Sequence, residues 1–216
     1  NPEAVLNYLH FHRAYKTSYE HECMRHSSAK AVAGHKAAKA AFLAGESEYE
    51  IQRAYLQATS HTDSETPYGN IVALNENAAI LHYTALERTK PSNHRSFLID
   101  AGANFHGYAS DITRTYAFEQ NDFAALIARM DKLMLAAVEG LKPGKSYVDL
   151  HCETYAQIAE VLAEFNIINV SASSAGEAGI VSTFFPHGLG HYIGLQVHDV
   201  GGLIGDLDGT PNPAPA

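Results

Sequence analysis

The sequence predicts an α/β (α+β) chain on three observations. Capped amphipathic helices open and close it, short β-type runs lie between them, and one helix-to-helix joint occurs twice. Residues 2–12 read as a short helix with Val5, Leu6, Leu9 and Phe11 on one face. Thr17 and Glu20 form a capping box, and an Ala-rich helix follows to about Ala44, where Gly45 stops it. Ser47, with Glu50 three residues on, caps a further helix to about Ser60. The pattern then changes to β-type runs at Asn70–Leu74, Ala79–Tyr83, Ser96–Ala101 and Ile112–Phe118. Helices return at about 122–141 and 147–165; in the first of these Leu126, Met130, Leu133 and Ala137 follow the 3.6-residue period. Beyond Asn166 a Ser/Ala/Gly loop leads into a Gly- and His-rich segment from Phe184 to Gly202.

The repeated joint is G-x-S-x-x-[ED]-[IL], at Gly45–Ile51 and again at Gly144–Leu150. Each copy is a helix stop followed at once by a capped helix start. Two readings fit: a common helix joint used twice, or an internally duplicated unit of helices and strands.

Composition limits the function. The 216 residues carry 15 lysines and arginines against 24 aspartates and glutamates, a net charge of −9, which argues against nucleic acid or an anionic membrane surface as partner. An apolar content of 46% is enough for a core and excludes a disordered acidic tail. No apolar stretch is long enough to span a bilayer, and no secretory signal opens the chain. Cys23 and Cys152 make neither a disulfide framework nor a CxxC motif, and both sit at helix positions that suit packing. The expectation is a soluble, cytoplasmic chain.

Chemistry concentrates in two segments. Phe97–Ala103 ends an apolar strand on Asp100, where a charge is costly unless paired. Gly102, Asn104 and Gly107 supply turn chemistry that can bring Asp111 back beside Asp100. Two adjacent carboxylates repel, and a divalent cation neutralises both. The same spacing also fits a hairpin whose aspartates cap turns and whose Arg114 pairs with one of them. The second segment, Pro186–Asp199, holds His187, His191, His198 and Asp199 among glycines. Leu189, Ile193, Leu195 and Val197 suggest that it is half buried, which favours ligands or acid–base groups over a solvated loop. His82 sits within an apolar run and would by itself be a core histidine; His10, His12, His21, His26 and His35 read as solvated surface.

Together these segments resemble the pita-bread metallopeptidases, the superfamily of methionine aminopeptidase, aminopeptidase P, creatinase and prolidase. The resemblance rests on D-A-G-x-x-x-x-G-Y-x-x-D-I-T-R-T at Asp100–Thr115, H-G-L-G-H-x-x-G-L-x-V-H-D at His187–Asp199, and Asn75–Thr84 in the same order. Bacterial prolidases (Xaa-Pro dipeptidases), including those called organophosphorus acid anhydrolases, are the most similar group. The resemblance implies a pita-bread fold: a pseudo-twofold repeat with a mostly antiparallel curved sheet covered by helices. Residues 1–216 would then be part of a catalytic domain, with an N-terminal domain and the C-terminal part of the catalytic domain absent.

The implied activity is hydrolysis of Xaa-Pro dipeptides by a metal-bridging hydroxide on two divalent ions, Mn²⁺ foremost and Co²⁺ or Zn²⁺ as alternatives. Asp100 and Asp111 match metal-binding aspartates, the second bridging both ions, and His191 matches the histidine ligand. His82, His187 and His198 match histidines that hold substrate and stabilise or shuttle protons in the tetrahedral intermediate. Tyr68, Leu81 and Val197 fall where relatives line the substrate pocket. A homodimer is implied for the full-length protein. Two glutamate ligands, the general base and a substrate-gripping arginine of the family pattern have no counterpart before Ala216, so the 216 residues alone are expected to bind metal weakly and turn over little. Phosphotriester hydrolysis at the same site and a non-catalytic protein-binding module are the alternatives.

Overall fold

The computed structural model describes residues 2–214. These form two compact units, one of residues up to Glu119 with the returning segment Tyr192–Pro211, the other of Gln120–His191 with the residues from Asn212.

The first unit opens with α1 (Pro2–Arg13), α2 (Ser18–Leu43) and α3 (Glu48–Thr59). Thr17 and Glu20 make the reciprocal capping box at the start of α2. Helix α1 buries no residue, and Val5, Leu6 and Leu9 of its expected apolar face are exposed. Helices α2 and α3 pack on a three-stranded antiparallel sheet of β1 (Ile71–Leu74), β2 (Ser96–Asp100) and β5 (Thr113–Ala117), with β2 in the centre. Burial along β2 alternates: Phe97 and Ile99 face the helices, and Ser96, Leu98 and Asp100 face the other way. Phe97 and Ile99 meet Phe42, Ile51, Tyr55 and Val72 in a core that excludes solvent completely. Each such side chain contributes about 1.5–3 kcal/mol.

Between β2 and β5 the short hairpin β3 (Asn104–Phe105) and β4 (Tyr108–Ala109) turns at His106-Gly107. Both turn residues have positive φ, as a two-residue hairpin of this twist requires.

The expected strand at Ala79–Tyr83 does not form. Asn75–Ala79 is a 3₁₀ turn and the chain bends through His82 at φ 56°. The apolar run suggested a strand, but tertiary contacts hold it as a loop. Asn75 accepts from the Arg95 N–H (2.9 Å) and donates to the Asn93 carbonyl (2.8 Å), closing the loop at its base.

The second unit contains α4 (Asp122–Gly140), α5 (Tyr147–Glu164), α6 (Ala172–Glu177) and α7 (Val181–Phe184), and no strand among its described residues. The apolar stripe of α4 packs through Leu126, Met130 and Leu133 against Ile158, Val161 and Leu162 of α5. The expected Ser/Ala/Gly loop holds two short helices, the first capped by Ser171. The joint repeated in the sequence is repeated in structure. Gly45 and Gly144 both take left-handed backbone, and Ser47 and Ser146 both cap the helix that follows. No described helix is long and apolar enough to cross a membrane.

Candidate metal centre

Strand register sets the two aspartates. Asp100, the last residue of β2, stands opposite Thr113, and the Ala101 N–H donates to the Ile112 carbonyl (3.1 Å). Continuing that register puts Asp111 opposite Gly102, so both carboxylates share the sheet face turned away from the helices, as diagonal neighbours. Buried Ser110 fixes the approach to Asp111: its hydroxyl accepts from the Ala103 N–H (3.0 Å) and lies 3.2 Å from the Ser27 carbonyl of α2. A Cβ on Gly102 would fall 2.1 Å from the Ser110 carbonyl oxygen, so only glycine permits this crossing.

The Tyr68 hydroxyl lies 2.7 Å from Asp100 Oδ1 and 2.8 Å from Asp111 Oδ1. Burial first, and then the charges of Asp100 and Asp111, push this phenol well above its ordinary range, so it stays protonated. One hydroxyl proton serves two carboxylates, and a cation would complete the neutralisation. Tyr68, Asp100 and Asp111 line an open cleft of about 650 Å³, together with His82, Val197 and His198. Ligand atoms of Asp111 and His198 come within 4.8 Å of each other, close enough to share one ion. Neither cysteine is among the lining residues; Cys23 is buried in α2 and Cys152, expected to pack, is exposed. Carboxylate and imidazole donors without thiolate suit a divalent metal ion.

His198 and Val197 reach the cleft on the returning segment. The Ala109 N–H of β4 donates to the Gly194 carbonyl (2.9 Å), and the Asp199 N–H to the Tyr192 carbonyl (2.9 Å). Asp199 itself, grouped by sequence with the three histidines, is buried and faces elsewhere. It pairs with Lys16 (3.1 Å) and Arg13 (3.4 Å) and caps the short turn Val200–Gly202 through the Gly201 N–H (2.9 Å). The histidines of this segment were expected to be half buried; His187, His191 and His198 are exposed, and Leu195 is exposed beside half-buried Leu189, Ile193 and Val197. His187 and His191 belong to the second unit, where the Gly190 N–H between them donates to the Tyr147 hydroxyl (3.4 Å). Leu81 is 63% exposed and does not line the cleft.

Two residues near the site escaped sequence reasoning. His35, read there as surface, is buried in α2, and its Nε2 lies 3.0 Å from the carbonyl of Ala101, next to Asp100. Glu48, buried at the start of α3, binds the loop that carries His82.

The fold and this carboxylate–imidazole face define a metallopeptidase scaffold, and comparison with known proteins agrees. The pattern of metallopeptidase family M24 matches residues 22–214. The chain belongs to that family. It is 62% identical over 216 residues to a Xaa-Pro dipeptidase of Colwellia psychrerythraea and 60% identical over 215 residues to one of Shewanella denitrificans, covering all of this chain and 49% of each relative. The chain thus spans about half the length of the curated relatives it matches. Among solved structures, aminopeptidase P from E. coli in its low-pH form superposes with a TM-score of 0.80 at 26% identity, over 88% of this chain and 44% of that one. Proline aminopeptidase P II from Yersinia pestis gives 0.72 at 30% identity, over 94% and 48%. The fold is therefore the pita-bread fold, and family membership implies divalent metal ions.

Proposed function

We propose that this chain supplies part of the active site of a metal-dependent dipeptidase acting on dipeptides whose second residue is proline. One observation carries the reading: Asp100 and Asp111 converge on one hydroxyl in a cleft shared with His82 and His198, on a family M24 scaffold. Asp100, Asp111 and His191 are the proposed metal ligands of this chain. When bound, two divalent ions supply Lewis-acid polarisation of the scissile carbonyl and a water acidic enough to attack at neutral pH.

The chain's own side chains do the rest. The Tyr68 hydroxyl orients both carboxylates, and Val197 gives the proline ring an apolar wall. His82, His187 and His198 hold the substrate; an imidazole N–H at the cleft can hydrogen-bond the carbonyl oxygen as it gains charge and return a proton to the prolyl nitrogen as the bond breaks. Manganese as the working metal, a cytoplasmic location and a homodimeric assembly belong to the same proposal. Free Cys23 and Cys152 fit a reducing compartment. Metal analysis, cell fractionation and sedimentation test these three in turn.

The central test is a hybrid in which these 216 residues replace the matching segment of the Colwellia relative. With Mn²⁺ it should hydrolyse Gly-Pro, and Asp100→Asn or Asp111→Asn should lower kcat/KM at least about a hundredfold. A folded, metal-loaded hybrid that ignores Gly-Pro, or that prefers a phosphotriester, would sink the reading. The chain alone should turn over little.

A further inference from the structure

Glu48 is a carboxylate in an unusual place: the first residue of α3, 1% exposed, beneath the loop between β1 and β2. Four donors converge on it, two to each oxygen. Oε1 accepts from the Leu74 N–H (2.8 Å) and Asn77 Nδ2 (2.9 Å); Oε2 accepts from the Tyr83 hydroxyl (2.7 Å) and the Glu87 N–H (3.0 Å). A carboxylate accepts about four hydrogen bonds, so this one is saturated. Its position in the first turn of α3 also places its charge at the favourable end of the helix dipole. All four donors lie on one stretch of chain, residues 74–87, and they flank His82 on both sides. Further tethers serve the same loop: the Tyr49 N–H donates to the Glu87 carbonyl (3.1 Å), and Arg88 stacks over the Tyr49 ring at 3.9 Å.

His82 needs such a clamp. It is exposed, at a left-handed φ of 56°, on a loop with no strand pairing, yet it lines the cleft of Asp100 and Asp111. A non-glycine residue in that conformation persists only where its surroundings over-determine it. Tyr83, the next residue, is buried and bonded through its hydroxyl to Glu48. We infer that Glu48 is the positioning residue for His82: it holds the 74–87 loop from beneath and so presents the imidazole to the cleft. The inference rests on the proposed role of His82 in that cleft.

The test needs no catalysis, so its outcome is separate from that of the dipeptide assay. Glu48→Gln keeps the shape but turns an amide toward donors. In the 216-residue chain, amide hydrogen exchange of residues 75–87 should accelerate about tenfold or more while residues 96–100 of β2 stay protected. The His82 ring signal in NMR should narrow and lose order, with the buried His35 ring as unchanged internal reference. Tyr83→Phe, which removes one bond of the four, should give a smaller change of the same pattern and decides the matter if Glu48→Gln does not fold. An unchanged loop and His82 signal, or protection lost equally in α2, α3 and β2, would overturn the inference.

Discussion

Replacing Asp199 by alanine should destabilise the first unit by about 3–5 kcal/mol, because it strands a buried cation. The Asp199 side chain is 2% exposed and that of Lys16 8%, so neither can move into water without opening the structure. After the substitution the Lys16 ammonium keeps the Arg13 carbonyl, at 2.7 Å, and the Tyr192 ring, 5.8 Å away, neither of which carries a compensating negative charge. Arg13 is 30% exposed and can turn to solvent, so its lost pair adds little. The cap on the Gly201 N–H is lost as well, and a cap is worth about 1 kcal/mol. Urea unfolding followed by circular dichroism would read the change as a lower midpoint at unchanged slope. The double variant Lys16→Met/Asp199→Leu removes both charges and should recover most of the loss, since a well-packed apolar pair replaces a buried ion pair at little cost. A loss below about 1 kcal/mol in Asp199→Ala, or a double variant as unstable as the two single losses added, would refute the reasoning.

Acid should weaken the fold through His35. Burial holds its imidazole below the ordinary value of 6.5, so below that pH the unfolded chain takes up a proton that the folded chain refuses. Its contribution to stability is full above about pH 6.5 and falls as the pH drops toward the depressed folded value. Urea midpoints at pH 7.5 and 5.5 should therefore differ more in the native chain than in His35→Gln; equal pH slopes would contradict this. Gly102→Ala drives a methyl into the Ser110 carbonyl and should cost at least about 2 kcal/mol, with the Ala101 amide losing exchange protection; stability within 0.5 kcal/mol of the native chain would show that the crossing is looser than described.

Much of the fold is legible in the sequence because the signals are local. The Thr17–Glu20 capping box, the Gly45–Ser47 and Gly144–Ser146 joints and the α4 stripe each specify structure within a few residues, and each appears where expected. The hairpin glycines likewise signal the reversal between β2 and β5. Where the reading fails, the deciding partner is distant in sequence. Ala79–Tyr83 has the composition of a strand, but Glu48 and Asn75 bind the surrounding chain as a loop. His35 looks like surface on an Ala-rich helix until the sheet covers it. Asp199 looks like a companion of His198 until Arg13 and Lys16 claim it.

The sequence by itself determined which scaffold this chain builds and where its candidate carboxylates and histidines fall along it, because residue types at fixed spacing are a local property and the family's motifs preserve them. The tertiary structure alone decided how the charges are neutralised. Tyr68 bridges Asp100 and Asp111, Lys16 and Arg13 take Asp199, and four donors saturate Glu48. The physical reason is that a buried charge must find a partner, and that partner is selected by proximity in space, which spacing along the chain does not record.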